Sequence, residues 1–214
     1  MLLKSIQQYP NVQQIDYNML AATGPMLDRV YSMRYRSYSS EGYINRNNSE
    51  KFIDSYDALP NCTSYLMYRN GKAMASIRAC RYDPKENIPI PCMEIFKQEL
   101  AQNIGLDVPF VEVNKFVVDP RFQRYGGKHA RLMLFSSIVE ETYKYNVQNV
   151  VIAVRPEHVN FYKMFYCKTI SDVKAYPHLN FETVLMACTD VERARKLIMS
   201  RSKRLAQSKC GQFH

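Results

Sequence analysis

The chain reads as an α/β protein built on one mixed sheet with helices against it. Three observations carry that reading. From residue 111 onward the sequence runs as strand (VEVNKFVVDP), basic glycine turn (RFQRYGGKH), helix (ARLMLFSSIVEETYKYN), strand (VVIAV) and a second helix opening with RPEHVNFYKMF. That is the alternation from which strands with crossover helices are built. An Asn-Gly pair parts two β-prone runs, TSYLMY and KAMASIRACRY, the signature of an antiparallel hairpin. No repeat, low-complexity stretch or Gly/Ser/Pro-rich linker divides the 214 residues. One domain over residues 1–190 and a basic tail over 191–214 are therefore expected.

The elements follow in order. Residues 24–39 place Met26, Leu27, Val30, Met33 and Tyr38 at helical spacing, with Pro25 suited to the first turn. Residues 41–59 are polar, aromatic and irregular, a loop long enough to suggest function. After the hairpin, residues 84–91 connect to a helix over Met93–Asn103. Phe110–Val118 is a strand whose apolar run past Glu112 marks it as central. Strict alternation puts Glu112, Asn114 and Phe116 on one face, and Val113, Lys115 and Val117 on the other. A helix over 127–145, a strand over 150–154, a helix over 156–166 and a strand over 183–187 complete the set.

Composition narrows the function. The first fourteen residues hold no signal-peptide pattern and no apolar run reaches the length of a membrane span, so a cytoplasmic location is expected. The six cysteines are scattered, without C-x-x-C pairs or Cys/His clusters; they read as reduced, buried thiols, and no metal site is expected. The formal charge of +9 suits an acidic partner or an anionic surface. With no helix-turn-helix, RNP or zinc signature, nucleic acid is not expected.

Four features could carry chemistry. Glu112 is a carboxylate in an apolar strand, which needs a partner or a purpose. It lies at a sheet edge, is ion-paired with a nearby Arg, or is a base of raised pKa that takes a proton from an attacking amine. Tyr162 could protonate a leaving thiolate, or simply pack as one of sixteen tyrosines. His158, one helical turn before it, can share its cleft. Arg121, Arg124, Gly126, Gly127 and Lys128 form a basic glycine turn between strand and helix, a seat for a phosphate. Asp54 and Asp57 in FIDSYDALP could bind a cation or a substrate ammonium, or cap a turn.

These residues resemble one family. The chain is similar, over roughly residues 24–190, to the branch of the GNAT acyltransferases that holds the N-acyl amino acid synthases and the acyl-homoserine lactone (autoinducer) synthases. Arg34 and Tyr38 in MRYRSY, Arg78 in SIRACRY, and Glu112 with Lys115 in VEVNKFVV stand at the branch's motif positions. Asp54 and Asp57 in DSYD match an acidic pair of the autoinducer synthases. IPIPCMEIFKQEL, RPEHVNFY and YPHLNFETVLM look specifically like the N-acyl amino acid synthases. The departures are Lys115 for an Arg, Ala75 for a Gly, Ile77 before Arg78, no Trp (Tyr43 could fill its role), and an imperfect Q/R-x-x-G-x-G/A loop ending in Lys128 or His129.

The resemblance implies a GNAT-like, mostly antiparallel sheet. It also implies transfer of a long-chain acyl group from a thioester to the α-amine of an amino acid. The donor would be acyl-phosphopantetheine on acyl carrier protein, or acyl-CoA, with no permanently bound cofactor. Pantetheine would enter between the fourth and fifth strands near Val117 and Val154, with N–H groups of Phe116 to Val118 on the thioester oxygen. Glu112 would accept the amine proton and Tyr162 protonate the thiolate. Arg34 and Arg78 would bind the acceptor's carboxylate or support Glu112. The basic tail, or an acylated product, could touch a membrane. An autoinducer synthase using S-adenosylmethionine, and a non-catalytic carrier-binding module, are the alternatives.

Overall fold

The computed structural model describes residues 17–123, 130, 135, 136, 138, 139 and 141–208. The strands are β1 (Tyr17–Ala21), β2 (Cys62–Arg69), β3 (Lys72–Tyr82), β4 (Phe110–Val118), β5 (Val150–Val154), β6 (Lys168–Thr169), β7 (Lys174–Ala175) and β8 (Glu182–Cys188). The helices are α1 (Pro25–Ser40), α2 (Met93–Asn103), α3 (Val159–Lys163) and α4 (Val191–Ser208). The described positions between 130 and 144 are helical as well. Strand order is β1-β2-β3-β4-β5-β8-β6, with β7 paired to β8. Every pairing is antiparallel except β4 with β5.

The hairpin forms where the Asn-Gly pair predicts it. Asn70 and Gly71 both take positive φ (48° and 73°) between the paired ends Arg69 and Lys72. Two left-handed residues give the turn whose twist matches its strands. The predicted helix over 156–166 is shorter, a 3-10 turn over Pro156–His158 leading into α3. β1 was not foreseen; it extends the sheet edge beside β2. The basic segment after residue 190 is helical at its start, and α4 turns Ala194 and Ile198 into the same core as β4, β5 and β8.

Two features of β4 position the site. Its ladder to β5 runs only from Val111↔Val150 to Val113↔Ile152. Beyond it Asn114–Val118 and Ala153–Val154 have no ladder partners across the gap, so the parallel pair opens into a fork. On the other side, Ser76 opposes Val117 and Arg78 opposes Asn114, so Lys115 and Phe116 together face Ile77. That is a β-bulge, and Lys115 sits in it at φ 49°. The bulge overturns strict alternation. Lys115 joins Glu112 and Asn114 on one face, reaching Asp54; Phe116 joins Val113 on the other, its ring 6.0 Å from that of Phe135.

Candidate active site

At the centre of the sheet, Glu112 is fully buried. Its Oε2 accepts the N–H of Cys92, at the start of α2, at 2.8 Å; its Oε1 accepts from Asn114 Nδ2 at 2.9 Å. Burial pushes its carboxyl above the usual range, against the pull of those two donors and of Arg78. Asn114 in turn accepts from Arg78 Nε at 2.8 Å. Among the described residues no guanidinium bonds Glu112 directly; its link to Arg78 runs through the Asn114 amide. Asn114 lies two residues on from Glu112, and period-two alternation puts it on the correct face, but only the structure shows it as the connecting group.

Beside this relay lies a five-residue ion cluster. Arg78 is buried and donates to Asp54 at 2.6 and 3.0 Å and to Asp57 at 2.9 Å. Arg34, with no exposed side-chain surface, donates to Asp57 at 2.7 Å and to Ser64 Oγ at 2.7 Å. Lys115 Nζ lies 2.6 Å from Asp54 and 4.0 Å from the centre of the Phe52 ring. Asp54 also caps the 3-10 turn Ser55–Ala58, in a reciprocal pair with Asp57. Burial opposes ionisation of both aspartates, but the surrounding cations prevail and hold both carboxyls below their ordinary range. Burial and the two arginines bring the Lys115 amine down to about 8. Three cations thus face two carboxylates, and neither acid is an open cation seat.

Two clefts meet at this cluster. One, of about 320 Å³, fills the fork and is lined by Val113–Val118 of β4, by Val154, and by Tyr162 and His158. The other, of about 380 Å³, is lined by Asp54, Tyr56, Arg78, Glu94, Glu112 and Tyr176 among others. They share Tyr38, Asn114, Lys115, Ala153 and Phe181. The fork therefore brings Phe116, Val117, Val118, Val154, Tyr162 and His158 together, while Glu112, Arg78, Asp54 and Lys115 border the adjoining cleft. Arg34 lies behind the cluster, not on either wall.

The basic turn is only partly described. Arg124, Gly126, Gly127 and Lys128 lie outside the described residues. Arg121 donates through Nε and Nη2 to buried Asp119, each at 2.8 Å, and Arg36 of α1 joins the same carboxylate at 2.8 Å. Sequence reading passed over Asp119, although an acid directly after a strand and before Pro is a familiar turn signal. Tyr43, the candidate for the missing Trp's role, forms an aromatic wall with Phe181, over which the Arg155 guanidinium lies at 4.3 and 5.8 Å; the partnership with Phe181 and Arg155 was not legible in the sequence. No group of metal-binding side chains occurs among the described residues.

A mostly antiparallel sheet forked after its one parallel pair, together with a matching family profile, defines the class: a GNAT-fold N-acyltransferase. The chain belongs to the N-acyl amino acid synthase FeeM family, whose profile matches residues 29–189. The solved structure of FeeM, an N-acyl amino acid synthase from uncultured soil microbes, superposes with TM-score 0.70 at 19% identity, over 86% of this chain and 95% of that one. Two CoA-dependent acyl-homoserine lactone synthases share the fold. BjaI (with SAM and isopentyl-CoA) gives TM-score 0.63 at 14% identity over 89% and 90% of the two chains. MesI gives 0.60 at 15% over 83% and 87%. No protein of curated function matches the sequence.

Proposed function

We propose that the protein transfers a long-chain acyl group from a phosphopantetheine thioester, borne by acyl carrier protein, to the α-amine of an amino acid. The observation that carries this reading is the meeting of the fork with the Glu112 cleft across Asn114, Lys115 and Ala153. A slender thioester arm suits the fork, which Phe116, Val117 and Val118 line. An amine suits the adjoining cleft, which Glu112 borders as a proton acceptor.

In the reaction the amine nitrogen bonds to the thioester carbon, the oxyanion is stabilised by backbone N–H groups of β4, and the C–S bond breaks. Glu112, with its raised pKa, takes the amine proton directly or through a water; Tyr162 gives its proton to the departing thiolate and regains one from solvent. Arg78 supports Glu112 through Asn114. Arg34 is engaged by Asp57 and Ser64, which favours a supporting role over contact with the acceptor's carboxylate. Engagement of the Asp54/Asp57 pair by Arg34, Arg78 and Lys115 removes the feature that most favoured S-adenosylmethionine as acceptor.

The test is mass spectrometry of lipid extracts from cells expressing the protein against an empty-vector strain. Ions of fatty acyl plus amino acid mass are expected. Acyl-lactone ions with methylthioadenosine would overturn the acceptor. If purified protein binds acyl carrier protein yet makes no product with it, and Glu112→Ala binds equally well, the protein is a binding module.

A further inference from the structure

The cleft that Glu112 borders carries a second carboxylate, one that the transfer reaction leaves unused. Glu94, in the first turn of α2, is exposed and lines the cleft together with Tyr56 and Tyr176. Its Oε1 accepts the Tyr56 hydroxyl at 2.7 Å, and among the described residues no Lys or Arg pairs with it. The cations around it are committed elsewhere. Arg78 and Lys115 are held by Asp54 and Asp57. Lys174, reaching α2 from β7, is taken by Glu99 at 2.5 Å and by the Ile95 carbonyl at 3.2 Å.

Two phenols register the same charge. Burial, then the bond to Glu94 and its charge, push Tyr56 above its usual range. Burial, then Glu112, Cys92 and Glu94, do the same for Tyr176. Both stay protonated, and Tyr56 stays a donor. Phe52 and Phe181 line the same cleft. A carboxylate without a counter-ion, set among aromatic rings, is the surrounding that favours a cation.

Position decides which part of an acceptor this charge reads. The α-amine has to lie where the two clefts meet, at Asn114, Lys115 and Ala153, because only there can it reach a thioester in the fork. The fork cleft does not share Tyr56, Glu94 or Tyr176, so these residues surround the acceptor's side chain. Glu112 joins the two ends: its Oε2 accepts from Cys92, just before Glu94, and its Oε1 from Asn114 at the junction.

We propose that Glu94, with Tyr56, selects an acceptor whose side chain is cationic: an amino acid of the lysine, ornithine or arginine type. The proposal rests on the acyl-transfer reading for its purpose, but the selection can be measured without turnover. A side-chain ammonium or guanidinium gains a charge-assisted bond from Glu94 that a neutral alkyl chain lacks. Calorimetry on the full-length protein should show L-lysine binding about tenfold more tightly than L-norleucine. Glu94→Gln, nearly isosteric and at an exposed position, should erase that gap. Glu94→Lys should turn the preference toward L-glutamate. A first-turn acid also suits the helix dipole, but losing that role alone would leave the gap in place.

Equal affinity for lysine and norleucine, no binding of either, or a gap that survives Glu94→Gln overturns the proposal. So does preferential transfer to a neutral amino acid from an equimolar mixture supplied with dodecanoyl carrier protein, an outcome that leaves the acyl-transfer reading standing. A Glu94-dependent gap with no transfer to any amine would keep the site and overturn the acyl-transfer reading instead.

Discussion

Glu112 is the residue whose environment and proposed role agree most closely. A carboxyl in the middle of a sheet is tolerated because two donors hold it, and its burial raises the pKa toward what a base needs near neutrality. Glu112→Gln keeps the shape and much of the bonding but abolishes the basic oxygen. Single-turnover transfer should fall by about 10²–10⁴-fold, with far-ultraviolet circular dichroism unchanged. In the wild type the rate should rise with pH through a step above the ordinary 4.5 of a glutamate, and that step should vanish in the variant. The neighbouring aspartates answer to stability instead. Asp57 has 2% of its side chain exposed and pairs with two buried arginines, whereas Asp54 has 30% exposed. Asp57→Asn should therefore cost about 3–5 kcal/mol, the range for breaking a buried pair, and Asp54→Asn distinctly less. Urea midpoints compare them directly.

At the scale of elements, the sequence showed what periodicity and turn chemistry can show: the hairpin at Asn70-Gly71, the buried run of β4, and α1 and α2 at their observed places. It did not show the bulge, because a left-handed backbone is signalled by Gly, Asn or Asp, and here the residue is Lys115. Tertiary contacts to Asp54 and Phe52 hold it there, and those appear only after folding. Nor did it show α4 as part of the core, because a run dense in Arg and Lys hides an apolar stripe of three residues. Asp119 was missed for a related reason: its importance lies in joining α1 to the end of β4 through Arg36 and Arg121. That joint makes a prediction of its own. Burial would raise the Asp119 carboxyl, but hydrogen bonds from Arg121 and Arg36 bring it from the ordinary 3.8 down to about 2. A group depressed in the folded state contributes stability that is present above 3.8 and is lost as pH falls through about 2. Asp119→Asn should thus be less stable than wild type at pH 7, and the gap should close across that acid window in urea titrations at stepped pH.

At the scale of the molecule, charge separates the two possible donors. Residues 191–214 hold seven Lys or Arg against Glu192 alone, so +6 of the net +9 lies in the C-terminal segment. Arg36 and Arg121, exposed and fixed on Asp119, add positive charge at the end of β4. An acidic carrier protein meeting such a surface gains from many long-range pairs, and those are what salt screens, with a Debye length of about 10 Å at 0.1 M and about 3 Å at 1 M. An acyl-CoA presents only a few phosphate charges. Raising ionic strength should therefore lower kcat/KM for the carrier-borne donor by about tenfold or more and for acyl-CoA far less, with kcat little changed in either case. Lys196→Glu, at an exposed position on α4, should reproduce part of the loss for the carrier-borne donor at low salt. Equal salt dependence for both donors would mean that the basic surface does not recruit the carrier. The choice between the two donors would then have to be made by comparing transfer rates from each, since the pantetheine arm is common to both.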